Sequence, residues 1–101
     1  MNKYLIGRVE DFPGGVKKRV MAGDLPLMVV SIDGKYFATE DTCTHAKASL
    51  SSGKLDGFKI ECAWHGAKFD IRTGKVLVLP AAQDLKTFHV YADGDDVWVD
   101  L

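Results

Sequence analysis

The sequence predicts an all-β fold, an antiparallel sandwich or barrel. Short runs of alternating apolar and polar residues recur along the chain, and turn-forming residues separate them at close intervals. Helical periodicity is almost absent. With 101 residues, of which 47% are hydrophobic, the chain is expected to form one small domain over residues 1–101.

Clear turn signals divide the first forty residues into predicted strands. We expect these strands over residues 3–9, 16–21, 27–32 and 35–39. The first break contains a proline followed by two glycines. Asp33 and Gly34 form a strong signal for a two-residue hairpin turn. Val30 and Ile32 are expected to face the core, and Lys35 the solvent.

The second half of the chain is expected to leave this β domain and then return to it. Short strands are predicted over residues 58–61 and 67–70, and a closing hairpin over residues 86–91 and 97–101. In the last strand Val97, Val99 and Leu101 share one predicted face. The domain would thus have a base, residues 1–40 and 82–101, and an inserted portion, about residues 41–81.

Charge and hydropathy exclude several kinds of partner. The formal net charge of −1 implies no basic face for a nucleic acid. No run of eighteen apolar residues is present, and the N-terminal residues lack the apolar core and cleavage site of a signal peptide. We therefore expect a cytoplasmic monomer that binds neither nucleic acid nor membrane.

Both cysteines and two of the three histidines lie in two short pairs. Cys43 and His45 are one residue apart, Cys62 and His65 are two residues apart, and sixteen residues separate His45 from Cys62. Two thiols and two imidazoles in two brief segments are the donor set of a metal site. The sequence therefore predicts a metal centre held by these four side chains.

The order of the four ligands bears on the metal. A zinc finger with two cysteines and two histidines usually keeps the cysteines together and puts the histidines on a helix. Here each segment mixes one cysteine with one histidine, which suits two irons, one bound by both thiolates and the other by both imidazoles. A structural zinc module stays open as an alternative. A Cys–His nucleophile is disfavoured, because no third orienting group is evident.

The C-x-H and C-x-x-H pattern resembles the Rieske motif, in which two histidines replace two cysteines on one iron of a [2Fe–2S] cluster. The resemblance extends along the run LSSGKLDGFKIECAWHGAKFDIRTGKVLVLPA, and to the flanks GKYFATEDTCTH and DLKTFHVYADGDDVWVDL. These stretches look like the Rieske-type ferredoxins of bacterial ring-hydroxylating dioxygenases. One departure is Ala63, where this family often has proline.

The resemblance implies the Rieske fold, one Rieske [2Fe–2S] cluster and a one-electron carrier without catalytic residues. Its implied partners are an NAD(P)H-dependent flavoprotein ferredoxin reductase and a terminal oxygenase that dihydroxylates aromatic rings. The chain has no nucleotide-binding fingerprint and no room for a mononuclear iron domain, in keeping with a carrier. A ferredoxin-like subunit of another reductase or oxidase remains an alternative.

Residues beside the predicted ligands have predicted supporting roles. Gly66 allows a tight turn and offers backbone amides to the cluster. Ala46, Lys47 and Trp64 are expected to form the rim that meets partner proteins, and Trp64 serves equally well as a packed lid. Pro80 begins a segment that resembles the proline loop shielding the cluster in this family, although a strand-ending proline is a competing interpretation.

The residues at two of the positions that follow the second histidine predict the reduction potential. High-potential Rieske proteins have a serine two residues, and a tyrosine four residues, beyond that ligand. Here the positions hold Ala67 and Phe69, which have no hydroxyl to donate to sulfur. We therefore expect a potential near the low end of the Rieske range of roughly −150 to +300 mV.

Several other polar residues are expected to have no role at the site. His89 is predicted to lie at or near the surface, far in sequence from the predicted ligands. Glu40, Asp41 and Asp70 are expected to be solvated surface charges, with docking to a basic partner as the alternative.

Overall fold

The computed structural model describes residues 2–42, 49–63, 66–78 and 83–101. Within these ranges the chain forms ten strands and two short 3₁₀ helices. The strands are β1 (Lys3–Arg8), β2 (Lys17–Ala22), β3 (Leu25–Ile32), β4 (Lys35–Glu40), β5 (Lys54–Asp56), β6 (Lys59–Glu61), β7 (Lys68–Asp70), β8 (Val76–Val78), β9 (Thr87–Asp93) and β10 (Asp96–Asp100). The 3₁₀ helices are Val9–Asp11 and Leu50–Ser52.

The larger sheet has six antiparallel strands in the order β1-β10-β9-β4-β3-β2. Its two edge strands approach each other: a Cβ added at Gly23, just after β2, would lie 3.3 Å from the Tyr4 ring on β1. Tyr4 and Ile6 also pack against the same core as residues of β2 and β3. The sheet is therefore almost closed into a barrel. A barrel is one of the two all-β architectures that the sequence predicted.

The predicted hairpin turn between β3 and β4 is confirmed. Asp33 has φ of 53° and Gly34 φ of 79°, so both central residues are left-handed. That combination matches the right-handed twist of the flanking strands and is best tolerated by Asp, Asn and Gly.

Strand β3 separates two hydrophobic cores. Leu27 and Val29 point into the barrel, where they pack with residues of β4, β9 and β10, including Ala38, Val90, Val97 and Val99. Met28 and Val30 point the other way, into a second core. Because successive side chains of a strand alternate in direction, four consecutive buried apolar residues mean that both faces of β3 are covered.

The second core is covered by the smaller sheet, which is inserted between β4 and β9. Its order is β5-β6-β7-β8, again antiparallel. Ile60 and Phe69 are fully buried in the second core, and Leu55 packs against it. The inserted sheet is thus attached to the outside of the barrel through β3 by apolar packing.

Two details differ from the sequence-based expectation. Leu101 is 36% exposed, because β10 ends at Asp100 and the barrel interior ends with Val99. Strands β5 and β8 were not predicted; each has three residues and is recognisable only through its neighbour in the sheet. None of the helices in the described ranges has the length and apolarity needed to cross a bilayer.

Candidate metal centre

The smaller sheet brings the ends of the second ligand segment, residues 62–67, together. Strand β6 ends at Glu61, β7 begins at Lys68, and these two residues pair across the sheet. The Cys62 N–H donates to the Ala67 carbonyl at 2.7 Å, so the segment is closed at its base. Gly66 has φ of 73°, the left-handed backbone that its predicted turn requires.

The first ligand segment, residues 43–48, is closed at its base as well. Thr42 and Ser49 form an antiparallel β-bridge on either side of it. The helix Leu50–Ser52 then leads into β5, whose first residue Lys54 pairs with Glu61. The chain that leaves the first ligand segment is therefore hydrogen-bonded to the strand that enters the second.

A third segment, residues 79–82, starts from the same end of the smaller sheet. It follows Val78, which pairs with Lys68 at the start of β7. Beyond it, the Asp84 carboxylate accepts a bond from the Val76 N–H at 2.9 Å, and the Leu85 N–H donates to the Gly74 carbonyl at 2.8 Å. The described residues that flank all three segments are therefore connected to one end of the four-stranded sheet.

Cys62 is the predicted ligand that the structure describes. It is 1% exposed and lies in the second core with Leu50, Ala67 and Leu85. A thiolate in such apolar surroundings is stabilised by bonding to a metal cation, so the position fits a sulfur ligand. The part of the chain that the structure describes contains no group of three or more His, Cys, Asp or Glu that could hold a metal.

The remaining predicted ligands and neighbours lie outside the described residues, so their roles stay predictions. They are Cys43, His45, Ala46, Lys47, Trp64, His65 and Pro80. Ala63, at the position where the family often has proline, is exposed beside Cys62.

A hydrogen-bond network that the sequence did not predict lies at the base of the first ligand segment. Asp41 is 2% exposed, so the expectation of a solvated surface charge is wrong for this residue. Its carboxylate accepts bonds from the Arg19 Nε at 3.0 Å, from the Ser49 hydroxyl and from the Ser51 N–H at 2.8 Å. No local sequence pattern predicts the ion pair of Asp41 with Arg19, because Arg19 lies on β2, 22 positions earlier in the chain.

The other two acidic residues are also engaged. The Glu40 carboxylate accepts a bond from the Lys86 N–H at 2.8 Å, which links β4 to the chain entering β9. Asp70 pairs bidentately with Arg72, whose Nε and Nη2 donate at 3.1 and 2.9 Å. Arg72 also lies over the Phe58 ring, 4.3 Å from its centroid. Both carboxylates are therefore at the surface, as expected, but each has a hydrogen-bond partner that the sequence did not predict.

The Asp70–Arg72 pair predicts a pH dependence of stability. The hydrogen bonds from Arg72 lower the pKa of Asp70, and the same pairing raises the pKa of Arg72. A carboxylate with a depressed pKa stabilises the fold above its unfolded pKa of about 3.9, and this contribution is lost as the pH falls through the lower folded value. We expect Asp70→Asn to flatten the acid limb of a plot of unfolding free energy against pH, as measured by urea unfolding. Arg72→Gln should flatten the acid limb equally. An acid limb that is unchanged in both variants would contradict the assignment of this pH dependence to the Asp70–Arg72 pair.

Comparison with known proteins agrees with this architecture. The chain matches the family model of the Rieske [2Fe-2S] domain over residues 2–89. It is 47% identical over 91 residues to the ferredoxin component of biphenyl 2,3-dioxygenase from Rhodococcus jostii (strain RHA1), which covers 90% of this chain and 85% of that relative.

Two solved structures are similar over nearly the whole chain. A ferredoxin of Sphingomonas yanoikuyae B1 has a TM-score of 0.90 and 35% identity, covering 99% of both chains. A chain of the complex of reduced oxygenase and oxidised ferredoxin in carbazole 1,9a-dioxygenase has a TM-score of 0.88 and 39% identity, covering 96% of this chain and 91% of that one.

The family match, the two-sheet architecture and the buried cysteine at the base of a hairpin therefore agree. The chain belongs to the Rieske [2Fe-2S] domain family, and it is a ferredoxin, an electron carrier with a Rieske-type [2Fe–2S] cluster and not a catalyst.

Proposed function

We propose that this ferredoxin accepts single electrons from an NAD(P)H-dependent flavoprotein reductase and delivers them to a terminal dioxygenase that hydroxylates aromatic rings. The relatives that carry the proposal are ferredoxin components of biphenyl and p-cumate dioxygenase systems. A similar chain occurs in a complex with the oxygenase of carbazole 1,9a-dioxygenase. We propose further that it works in the cytoplasm as a monomer, with residues 1–101 as one domain and the cluster held by about residues 41–81.

The proposed ligands are Cys43 and Cys62 on one iron, and His45 and His65 on the other. The single observation that favours this set is the common origin of both ligand segments at one end of the smaller sheet. There β6 delivers the buried Cys62, and the Thr42–Ser49 bridge holds the base of the first segment. When bound, the cluster takes up and releases one electron.

The same end of the sheet offers apolar surface to a partner. Leu77 and Val78 on the edge strand β8 are 46% and 43% exposed, and Val78 directly precedes residues 79–82. Interfaces between transient partners combine such apolar patches with a polar rim. This arrangement supports docking of both redox partners at the cluster end, with Ala46, Lys47 and Trp64 in the proposed rim and Pro80 in the proposed shield.

Reconstitution with purified components tests the proposal. The isolated ferredoxin should be red-brown, contain two irons and two acid-labile sulfides per chain, and show an EPR signal averaging below the free-electron value when reduced. Added to a flavoprotein reductase, NADH and a biphenyl-type terminal oxygenase, it should restore formation of the cis-dihydrodiol. A colourless protein that contains zinc would favour the structural module, and a reducible cluster that supports no turnover with any such oxygenase would exclude the proposed partner.

The side chains at two positions near Cys62 predict a low reduction potential. Ala67 and Phe69 are both fully buried, and neither side chain has a hydroxyl to donate to a cluster sulfur. We expect a midpoint below zero millivolts, near the lower end of a range of roughly −150 to +300 mV. Such a potential suits transfer from a reduced flavin better than oxidation of a quinol. Redox titration followed by EPR measures it, and a midpoint clearly above zero would refute the prediction.

Introducing the missing hydroxyls should raise that potential. Ala67→Ser and Phe69→Tyr together are expected to shift the midpoint upward, because hydrogen bonds to sulfur stabilise the reduced cluster. Phe58→Tyr is the matched control: Phe58 lies in the inserted portion and packs against Phe37 of β4 with ring centroids 5.6 Å apart, and it occupies neither of the two positions beyond the second histidine. An equal upward shift of the midpoint potential in Phe58→Tyr would show that hydrogen bonds to sulfur are not the cause.

A further inference from the structure

Among the residues that the structure describes, Asp41 makes five hydrogen bonds that connect the flanks of the first ligand segment to the barrel. Three reach its carboxylate, from Arg19, Ser49 and Ser51. Two use its backbone: its N–H donates to the Pro26 carbonyl at 3.0 Å, and its carbonyl accepts from the Leu50 N–H. Arg19 lies on β2 and Pro26 on β3. Through Asp41, the bonds therefore join two barrel strands to residues 49–51, which directly follow the first ligand segment.

These bonds act on both ends of one short stretch. Residues 43–48 contain the proposed ligands Cys43 and His45, and they begin two positions after Asp41 and end one position before Ser49. A side chain that ties residue 41 to residues 49–51 therefore restricts where the ends of the segment lie. Supporting hydrogen bonds of this kind hold ligands in the orientation that the metal requires.

The network also contains a charge pair of unequal exposure. The Arg19 side chain is 53% exposed, whereas that of Asp41 is 2% exposed, with 3.0 Å between the guanidinium Nε and the carboxylate oxygen. Chain geometry keeps the Asp41 and Cys43 Cα atoms within about 7 Å, because a residue spans at most about 3.6 Å. A charge so near a redox centre is only partly screened by water and salt.

We propose that Asp41 is the positioning residue of the first ligand segment, and that its pairing with Arg19 balances the charge beside the cluster. The inference rests on the proposed function, because it takes Cys43 and His45 as ligands. Removing the carboxylate charge leaves Arg19 unpaired, and a positive charge favours the reduced cluster, which carries one more electron. Removing the guanidinium leaves the carboxylate unpaired, and a negative charge disfavours the reduced cluster.

Four variants of the intact holoprotein test the proposal: Asp41→Asn, Arg19→Met, the double variant and Ser49→Ala. The midpoint potential should rise in Asp41→Asn, fall in Arg19→Met and return close to the wild-type value in the double variant. Loss of visible absorbance in the presence of an iron chelator should be about tenfold faster in Asp41→Asn, as expected for a buried charge-assisted bond. Ser49→Ala, which removes the hydroxyl's bonds to Asp41 and Ser51 but no charge, should release the cluster faster at an unchanged potential.

Glu40→Gln is the matched control, because this neighbouring carboxylate binds Lys86 at the other side of β4. It should leave both potential and cluster release unchanged. Shifts of the same sign in Asp41→Asn and Arg19→Met would overturn the charge-balance part of the proposal. Cluster release as slow as wild type in Asp41→Asn and Ser49→Ala would overturn the positioning part.

The variants also distinguish loss of cluster assembly in Asp41→Asn from loss of cluster assembly in the wild-type protein. If Asp41→Asn assembles no cluster at all, which supports positioning, then Ser49→Ala and Arg19→Met decide between the two parts. If the wild-type protein itself binds no [2Fe–2S] cluster, the proposed function fails, whereas normal wild-type protein with unaffected variants excludes this inference alone.

Discussion

Replacing His45 with alanine is expected to abolish the Rieske cluster. Each ligand segment supplies one sulfur and one nitrogen in the proposed arrangement, so loss of one imidazole leaves an iron without half of its protein ligands. Cys62→Ser should have the same effect, and because metal binding is part of folding in such small segments, the free energy of unfolding should fall with it. Visible absorbance, EPR of the reduced protein, and iron and sulfide content measure the loss.

The third histidine provides a matched control for this experiment. His89 is exposed on β9, as expected from the sequence, and its ring stacks on Tyr91 with centroids 5.2 Å apart. His89→Ala should keep the full spectrum. A native spectrum in His45→Ala would show the ligand assignment to be wrong. His45→Cys is expected to retain iron at a lower potential, because an additional thiolate makes the cluster more negative.

Gly53→Ala is expected to lower the free energy of unfolding by about 3 kcal/mol or more. A Cβ at this position would lie 1.9 Å from the Glu61 carbonyl oxygen and 3.1 Å from the Leu50 carbonyl oxygen. Both contacts are with backbone, and the pairing of Lys54 with Glu61 prevents the strands from separating without loss of hydrogen bonds. Because Glu61 directly precedes Cys62, the relaxation should also displace the second ligand segment and accelerate cluster loss. Thermal and urea unfolding, together with chelator-induced bleaching, measure both effects.

Gly14→Ala separates this close contact from a general glycine effect. Gly53 has φ of −81°, which any residue adopts, so its substitution is unfavourable only through the contact. Nothing lies within 4 Å of a Cβ added at Gly14. The Gly14 variant should therefore stay within about 0.5 kcal/mol of the wild type. Equal stabilities of the two variants would mean that β5 and β6 separate without cost.

Most of the barrel could be predicted from the sequence because its signals are local. Alternating side chains and the Asp33–Gly34 turn specify β3 and β4 within a few residues. Strands β5 and β8 were not predicted, because their local sequence signals are weak. Strand β5 is Lys-Leu-Asp, and three residues are too few for its alternation to distinguish a strand from a loop. Strand β8 also has three residues, and it is apolar throughout, so it shows no alternation.

The roles of the acidic residues could not be predicted, because their partners are distant in the chain. Asp41 bonds to Arg19, 22 positions away, and Glu40 bonds to Lys86, 46 positions away. In isolation each reads as a surface carboxylate, which is the commonest fate of such residues. Asp70 and Arg72 are only two positions apart, yet the stacking of Arg72 on Phe58 also depends on the folded sheet.

The sequence by itself determined the chemistry of this protein: two cysteines and two histidines in mixed pairs, and alternating strands interrupted by an insertion. Those features depend on residue type and spacing, which folding does not change. Only the tertiary structure decided that β3 is buried on both faces, that the residues flanking the proposed ligand segments are connected to one end of the smaller sheet, and that Asp41 is buried in an ion pair with Arg19. These depend on which distant strands pair, because a side chain's burial and partners are set by neighbours that the linear sequence does not place beside it.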